Sequence, residues 1–234
     1  MNTLIFNGRN LADFGVFVDH SRTFPVPERD VEFFDVPGRN GILSFDNGRF
    51  TDIDIVFPCF IRENFVTNYR NLEEYLQTCR GFCRLETSAE SSHFRKGALV
   101  GGIQPRTTAF NNGGFFDLQF RCHPQRWLKS GETAVSFTAN GTITNPTLFA
   151  SKPLLRVYGK GAFVVGNTQI TISDFDTYTD INCDLMECYK GATDCSEFVT
   201  ISGNDFPVLQ PGSNQVQLGS GITKIEITPR WFAI

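Results

Sequence analysis

Val31-Glu32-Phe33-Phe34-Asp35-Val36, then Pro37-Gly38-Arg39-Asn40-Gly41, then Ile42-Leu43-Ser44-Phe45-Asp46 reads as strand, turn, strand. Pro37 presets one φ angle, and the glycines and Asn40 accept positive φ, so the middle segment is suited to reversing the chain. Apolar-rich runs on either side of such a turn predict a β-hairpin. Just downstream, Ile53, Ile55, Phe57 and Cys59 alternate with Asp54, Val56 and Pro58. That is a period of two, with one more apolar face and one mixed face. Pro58 has no N–H to give a ladder and is expected at an edge or a bulge.

Outward from this stretch the pattern stays β-like. Leu4-Ile5-Phe6 predicts a short strand and Asn7-Gly8 a turn; Phe82–Glu86, Phe94–Val100 and Phe115–Cys122 predict further strands. Asn111-Asn112-Gly113-Gly114 reads as a turn before the last of these, and Pro124 ends it. One segment differs. Between Asn64 and Arg80, the residues Phe65, Tyr69, Leu72, Leu76 and Cys79 recur at spacings of three and four. This predicts a helix with one apolar stripe, and Gly81 stands where a left-handed C-cap is expected.

From Gly131 to Ser151 the composition turns to Thr, Asn, Gly and Ser, which places a domain boundary there: 1–135 and 136–234. Beyond it, Leu154–Tyr158, Ala162–Val165, Gln169–Ile172, Ile181–Leu185, Phe198–Ile201, Gln215–Leu218 and Lys224–Thr228 predict short strands at turn-bounded spacings. That is the pattern of a β-sandwich. The 24 Phe among 234 residues support a mainly β (α+β) fold, because Phe suits pleated, half-buried surfaces. The net charge of −4 arises wholly beyond residue 130, and 13 of the 15 Arg lie before it. Two regions with different surfaces are implied, and neither has the net basic footprint of a DNA reader.

No run approaches the roughly 20 apolar residues that span a bilayer. Met1 to Val18 carries Arg9 and Asp13 and lacks a secretory apolar core, so folding in a cytoplasm is expected. Seven Cys at unrelated spacings predict reduced thiols, not a disulfide framework. Cys79 and Cys83, and the looser set Cys183, Cys188 and Cys195, do not complete the paired knuckles of a zinc site. A Cys nucleophile needs a His beside it. The three His are His20, His93 and His123, and neighbours such as Cys122 and His123 point to opposite faces of a strand. Asp174, Asp176, Asp180 and Asp184 lack the glycine turn and terminal Glu of a Ca²⁺ loop and read as a solvated acidic face. Gly101-Gly102 and Gly219-Ser220-Gly221 are not followed by the Lys-Ser/Thr of a phosphate loop. Trp127, Tyr189 and Trp231 could stack on sugars, but core or interface packing is the commoner use of such rings. No catalytic, metal or cofactor constellation emerges, and no enzyme is expected.

Several short motifs follow one another along the chain. Pro27-Glu28-Arg29 is followed by Val36-Pro37-Gly38-Arg39-Asn40-Gly41, and the helix near Tyr75-Leu76 by Gly81-Phe82-Cys83-Arg84-Leu85. Phe120-Arg121-Cys122-His123-Pro124 comes next. Then follow Asn145-Pro146-Thr147, the run Lys152 to Gly159, and Ile181-Asn182-Cys183-Asp184. Phe206-Pro207-Val208-Leu209-Gln210-Pro211-Gly212-Ser213-Asn214 and Pro229-Arg230-Trp231 close the series. In this order the motifs resemble the siphophage distal tail protein (Dit) family, and the resemblance covers nearly the whole chain.

It implies an N-terminal β-sandwich with one helix that assembles into a homo-hexameric ring, and a galectin-like C-terminal β-sandwich outside it. It also implies a place at the virion tail tip. There the ring would join the tail tube protein to the tail-tip hub protein, near the tape measure protein, with DNA passing through the channel. No cofactor and no membrane insertion are implied. Pro37, Gly38, Arg39, Asn40 and Gly41 are the candidate loop for ring or hub contact, with a plain hairpin turn as the alternative. The rival reading is a tail-associated carbohydrate-binding module using Tyr189 and Trp231.

Overall fold

A computed structural model describes residues 2–19, 25–108, 112–174, 177–203 and 205–234. His20, Asn111 and Asp176, named above, lie outside the described residues. The chain forms two compact units: Met1–Arg126 with Ile234, and Trp127–Ala233.

The first unit contains β1 (Leu4–Phe6), β2 (Arg9–Asn10), β3 (Val16–Val18), β4 (Arg29–Phe34), β5 (Leu43–Phe50), β6 (Ile53–Ile61), α1 (Phe65–Thr78), β7 (Cys83–Thr87), β8 (His93–Leu99), β9 (Arg106–Thr107) and β10 (Gly114–Cys122). Its main sheet runs β2-β1-β7-β8-β10-β6-β3. The longest ladder joins β6 and β10 antiparallel, from Gly114↔Ile61 to Cys122↔Ile53. Alternation sends Ile53, Ile55, Phe57, Cys59 and Ile61 inward, with Phe116, Leu118, Phe120 and Cys122 facing the same way. Each large apolar side chain so buried contributes about 1.5–3 kcal/mol.

The sheet curls. Phe6 and Phe120 have ring centroids 4.9 Å apart although β7 and β8 separate their strands. The Val18 N–H donates to the Asn2 carbonyl at 3.0 Å, tying β3 back to the chain just before β1. Helix α1 packs on the same core through Phe65, Leu72 and Leu76, and the Tyr69 ring meets Phe116 edge-on at 5.6 Å. The helix ends at Thr78, with Cys79 N–H bonded to the Leu76 carbonyl. Gly81 does adopt a left-handed φ of 66°, but it lies beyond the cap. The Pro58 carbonyl accepts the Asp19 N–H at 2.8 Å, so the missing proline N–H lies on the side where β3 stops.

The crossing strand β11 (Arg126–Leu128) leads into the second unit. Its strands are β12 (Val135–Phe137), β13 (Gly141–Asn145), β14 (Leu154–Gly159), β15 (Gly161–Val165), β16 (Thr168–Ile172), β17 (Thr179–Asn182), β18 (Glu187–Lys190), β19 (Thr193–Asp194), β20 (Val199–Ile201), β21 (Gly212–Leu218), β22 (Ile222–Thr228) and β23 (Phe232–Ala233). Two sheets, β12-β22-β14-β17-β18-β19 and β13-β21-β15-β16-β20, enclose one core. The division falls at Arg126/Trp127, nine residues before the expected boundary at 135/136. Residues 127–135 belong with the second unit because Leu128 N–H bonds to the Trp231 carbonyl and Arg230 N–H to the Gly131 carbonyl. Gly131 is required there, since a Cβ would lie 2.3 Å from the Trp231 nitrogen.

The motif residues of this unit are structural pins. Asn145 is buried; its amide donates to the Phe149 and Leu209 carbonyls, and its oxygen accepts from Thr147. Asn214 spans Gln210 in both directions, Ser151 donates to the Pro229 carbonyl, and Arg230 donates to Asn182. These groups satisfy backbone atoms that would otherwise be buried without partners.

All seven thiols are free. Burial pushes Cys59, Cys122 and Cys183 up to about 12 and Cys188 up to about 11. At pH 8 the native protein should therefore show at most three thiols, Cys79, Cys83 and Cys195, reacting promptly with an aromatic disulfide reagent, and all seven in guanidinium. Prompt reaction of all seven in the native state would contradict the packing. Trp231→Ala should cost about 3–5 kcal/mol of unfolding free energy, read by denaturant titration.

Candidate functional site

Strands β4 and β5 form a ribbon of their own, separate from the main sheet. Its register pairs Val31↔Asp46, Glu32↔Phe45, Phe33↔Ser44 and Phe34↔Leu43, with an irregularity between Arg29 and Val31. The root is closed by Thr51 N–H on the Glu28 carbonyl at 2.9 Å. At the tip, Arg39 N–H bonds to the Val36 carbonyl at 3.1 Å, and Gly38 has φ 80°. Proline followed by a residue at positive φ is the pattern of a type II turn, and glycine is what that position demands. Nothing lies within 4 Å of the place a Cβ would take on Gly38 or Gly41, so the tip stands clear of the rest of the unit.

Ion pairs staple the two strands. Arg29 bonds to Asp46 and Arg49 to Asp30, each at 2.6 Å, and Asn47 donates to Glu32 at 3.2 Å. The Gly48 N–H and Arg29 hold the Asp46 carboxyl below its ordinary value, and Arg49, helped by Asn47, does the same for Asp30. Being exposed, these pairs set register more than they add stability.

The apolar residues are the informative ones. Phe33 is 69% exposed, Phe45 60% and Phe34 50%, and Ile42 and Leu43 are exposed beside them. Alternation puts Phe34, Leu43 and Phe45 on one face with Glu32, and Phe33 on the other with Ser44 and Asp46. A two-stranded ribbon is marginal on its own. One with large apolar groups bare on both faces is shaped to be covered by other molecules. The expected contact loop, Pro37 to Gly41, is thus the tip of a larger arm whose phenylalanines carry the apolar surface. The signal was present in sequence: Phe33-Phe34 are adjacent, so a single buried face cannot hold both.

The rival sites do not assemble. Trp231 is only 5% exposed and sits in the core of the second unit, the packing role favoured for it, which leaves no open face for the rival sugar-stacking role. Tyr189 is half-buried on the outer face of β18, opposite Asp180. Cys122 and His123 do point apart: the thiol is buried, while the imidazole stacks on Phe82 at 4.0 Å and meets Asp52 at 3.3 Å. Among the described acidic residues, Asp180 forms a two-pronged pair with Arg156 at 2.7 and 2.8 Å. Asp174 and Asp184 lie near Lys160 and Lys152 at 3.9 and 3.8 Å. No group of three or more His, Cys, Asp or Glu that could hold a metal occurs among the described residues. No described helix is long and apolar enough to cross a membrane.

No protein-family profile matches the chain, and no curated protein matches it. Solved structures do. The Dit protein (gp 19.1) of phage SPP1, described as a paradigm of the hub adsorption apparatus in phages infecting Gram-positive bacteria, superposes with a TM-score of 0.72. Identity is 14%, and each chain is covered completely. A chain of the phage p2 baseplate, in its activated conformation with Sr, gives a TM-score of 0.49 at 12% identity over 97% of each chain. The chain therefore has the fold of SPP1 Dit from end to end.

The ion-pair staples carry a pH signature. Asp30 and Asp46 are depressed below 3.8 in the folded ribbon, so their contribution is present above pH 3.8 and is lost as pH falls through the lower folded values. The side-chain carboxyl carbon shifts of Asp30 and Asp46 should hold constant from pH 7 to pH 5 and complete their titration only below pH 3.8. Titration of these two carboxyls between pH 7 and 5 would mean the ion pairs with Arg49 and Arg29 do not form.

Proposed function

We propose that this protein is a structural component of a phage tail tip, a homo-hexameric ring that links the tail tube to the distal hub. The fold shared with SPP1 Dit over the full length of both chains carries this reading. The exposed hairpin supports it independently, because an arm bare on both faces is suited to lie between copies or between a copy and a neighbour. Identical contacts between two different patches of one chain close into a ring when the rotation per copy permits.

The role is mechanical. The first unit forms the ring wall around a channel through which DNA passes. The tail tube protein, the tail-tip hub protein and the tape measure protein are its neighbours in the virion. The chain folds in the bacterial cytoplasm before it joins the particle. The tip Pro37-Gly38-Arg39-Asn40-Gly41 presents the arm to its partner.

Light-scattering mass and negative-stain images of the purified chain test this. The expected result is a particle of roughly six times 26.2 kDa with six-fold symmetry and a central hole. Gly38→Val forces a branched residue into positive φ and should misdirect the tip, reducing ring yield while the thermal midpoint of the main sheet stays within a few degrees. Full ring yield from that variant would remove the turn from the contact.

A further inference from the structure

We propose that the acceptor for the hairpin arm is a second copy of this chain, at the Arg106–Phe115–Phe60–Phe17 row on the outer face of β9, β10, β6 and β3. This rests on the ring reading and names the contact that builds it.

The row follows from register. Arg106 pairs with Phe115, Phe115 with Phe60, and Phe60 with Phe17, so the four side chains cross the sheet side by side on one face. The ring centroids are 6.4 Å apart for Phe115 and Phe60 and 5.9 Å for Phe60 and Phe17. These positions alternate with buried Ile61, Phe116 and Val16, so the row faces away from the core, and Phe115 is 59% exposed. Cations frame it: Arg106 ends the row, and the exposed Arg62 lies with its guanidinium carbon 5.5 Å over the Phe60 ring. A cavity of about 460 Å³ lined by Val56, Ile103, Arg106 and Phe115 opens beside it.

The arm carries the complement. Its richer face shows Phe34, Leu43 and Phe45 with the Glu32 carboxylate among them. Aromatic groups meet aromatic groups, and a carboxylate meets two guanidiniums. The occupant must be another copy. The arm leaves the sheet at the Ile53 end of β6, whereas the row lies at the Phe60 end, and nine residues of strand span roughly 30 Å. Within one chain Phe34, Phe45 and Phe115 stay exposed, while Phe60 and Phe17 are half-buried. Donor and acceptor at opposite ends of one strand give a head-to-tail contact, the kind that closes rings.

Oligomer mass against concentration, for the full chain and four variants, tests the contact. Phe34→Ser and Phe115→Ser should each raise the concentration needed for assembly at least about tenfold, with unchanged thermal midpoints, since both side chains are exposed. Glu32→Arg and Arg106→Glu should each weaken assembly in the same way, and an equimolar mixture of the two should restore it, because every contact between unlike copies then pairs opposite charges. Rings from Phe115→Ser at the parent concentration, or a mixture no better than its components, would overturn this acceptor while leaving the ring reading intact. A parent chain that stays monomeric at every concentration removes the ring reading and this contact together.

Discussion

The antiparallel ladder between Ile53–Ile61 and Gly114–Cys122 is the constraint on which the first unit depends. Nine pairs in unbroken register commit five residues of each strand to the core and four to the outer face. A slip of β10 by one residue would turn Phe116, Leu118 and Phe120 to solvent, at about 1.5–3 kcal/mol apiece. With that register fixed, the curl that brings Phe6 against Phe120 and the seating of α1 have a defined surface to meet. So do the features outside the core. The same ladder places the root of the arm at one end of β6 and the aromatic row at the other.

The second unit is fixed differently. Its two sheets share an aliphatic core, but the places where strands enter and leave it are held by buried polar side chains: Asn145, Ser151, Asn182 and Asn214. Each bonds to backbone or to another fixed side chain, so each defines a loop conformation as well as filling space. All of these but Ser151, with Arg230 and Trp231, lie in the motifs that carry the family resemblance. Their shared role is to make one sandwich with particular loops.

Much of the architecture is legible in the linear pattern. Period two marks β6 and β10, period 3.6 marks α1, and proline with glycine marks the hairpin tip. Other strands escape detection for identifiable reasons. Gly141–Asn145 reads as linker because its inward positions are Ile143 and Asn145, and a buried asparagine leaves no apolar alternation. Glu187–Lys190 turns only Cys188 fully inward. Trp231 invites a ligand-stacking role in sequence, and only its place in the aliphatic core of the second unit shows that the ring is enclosed.

By itself the sequence determined that this is a mainly β chain of two regions with one helix and a glycine-proline hairpin, because periodicity and turn chemistry are local properties of neighbouring residues. Only the tertiary structure decided which phenylalanines are core and which are surface. Phe57 and Phe60 sit three apart on one strand, yet one is buried and the other is half-buried on the outer face. That difference depends on which face of a curled sheet the rest of the chain covers, and coverage is set by residues distant in sequence.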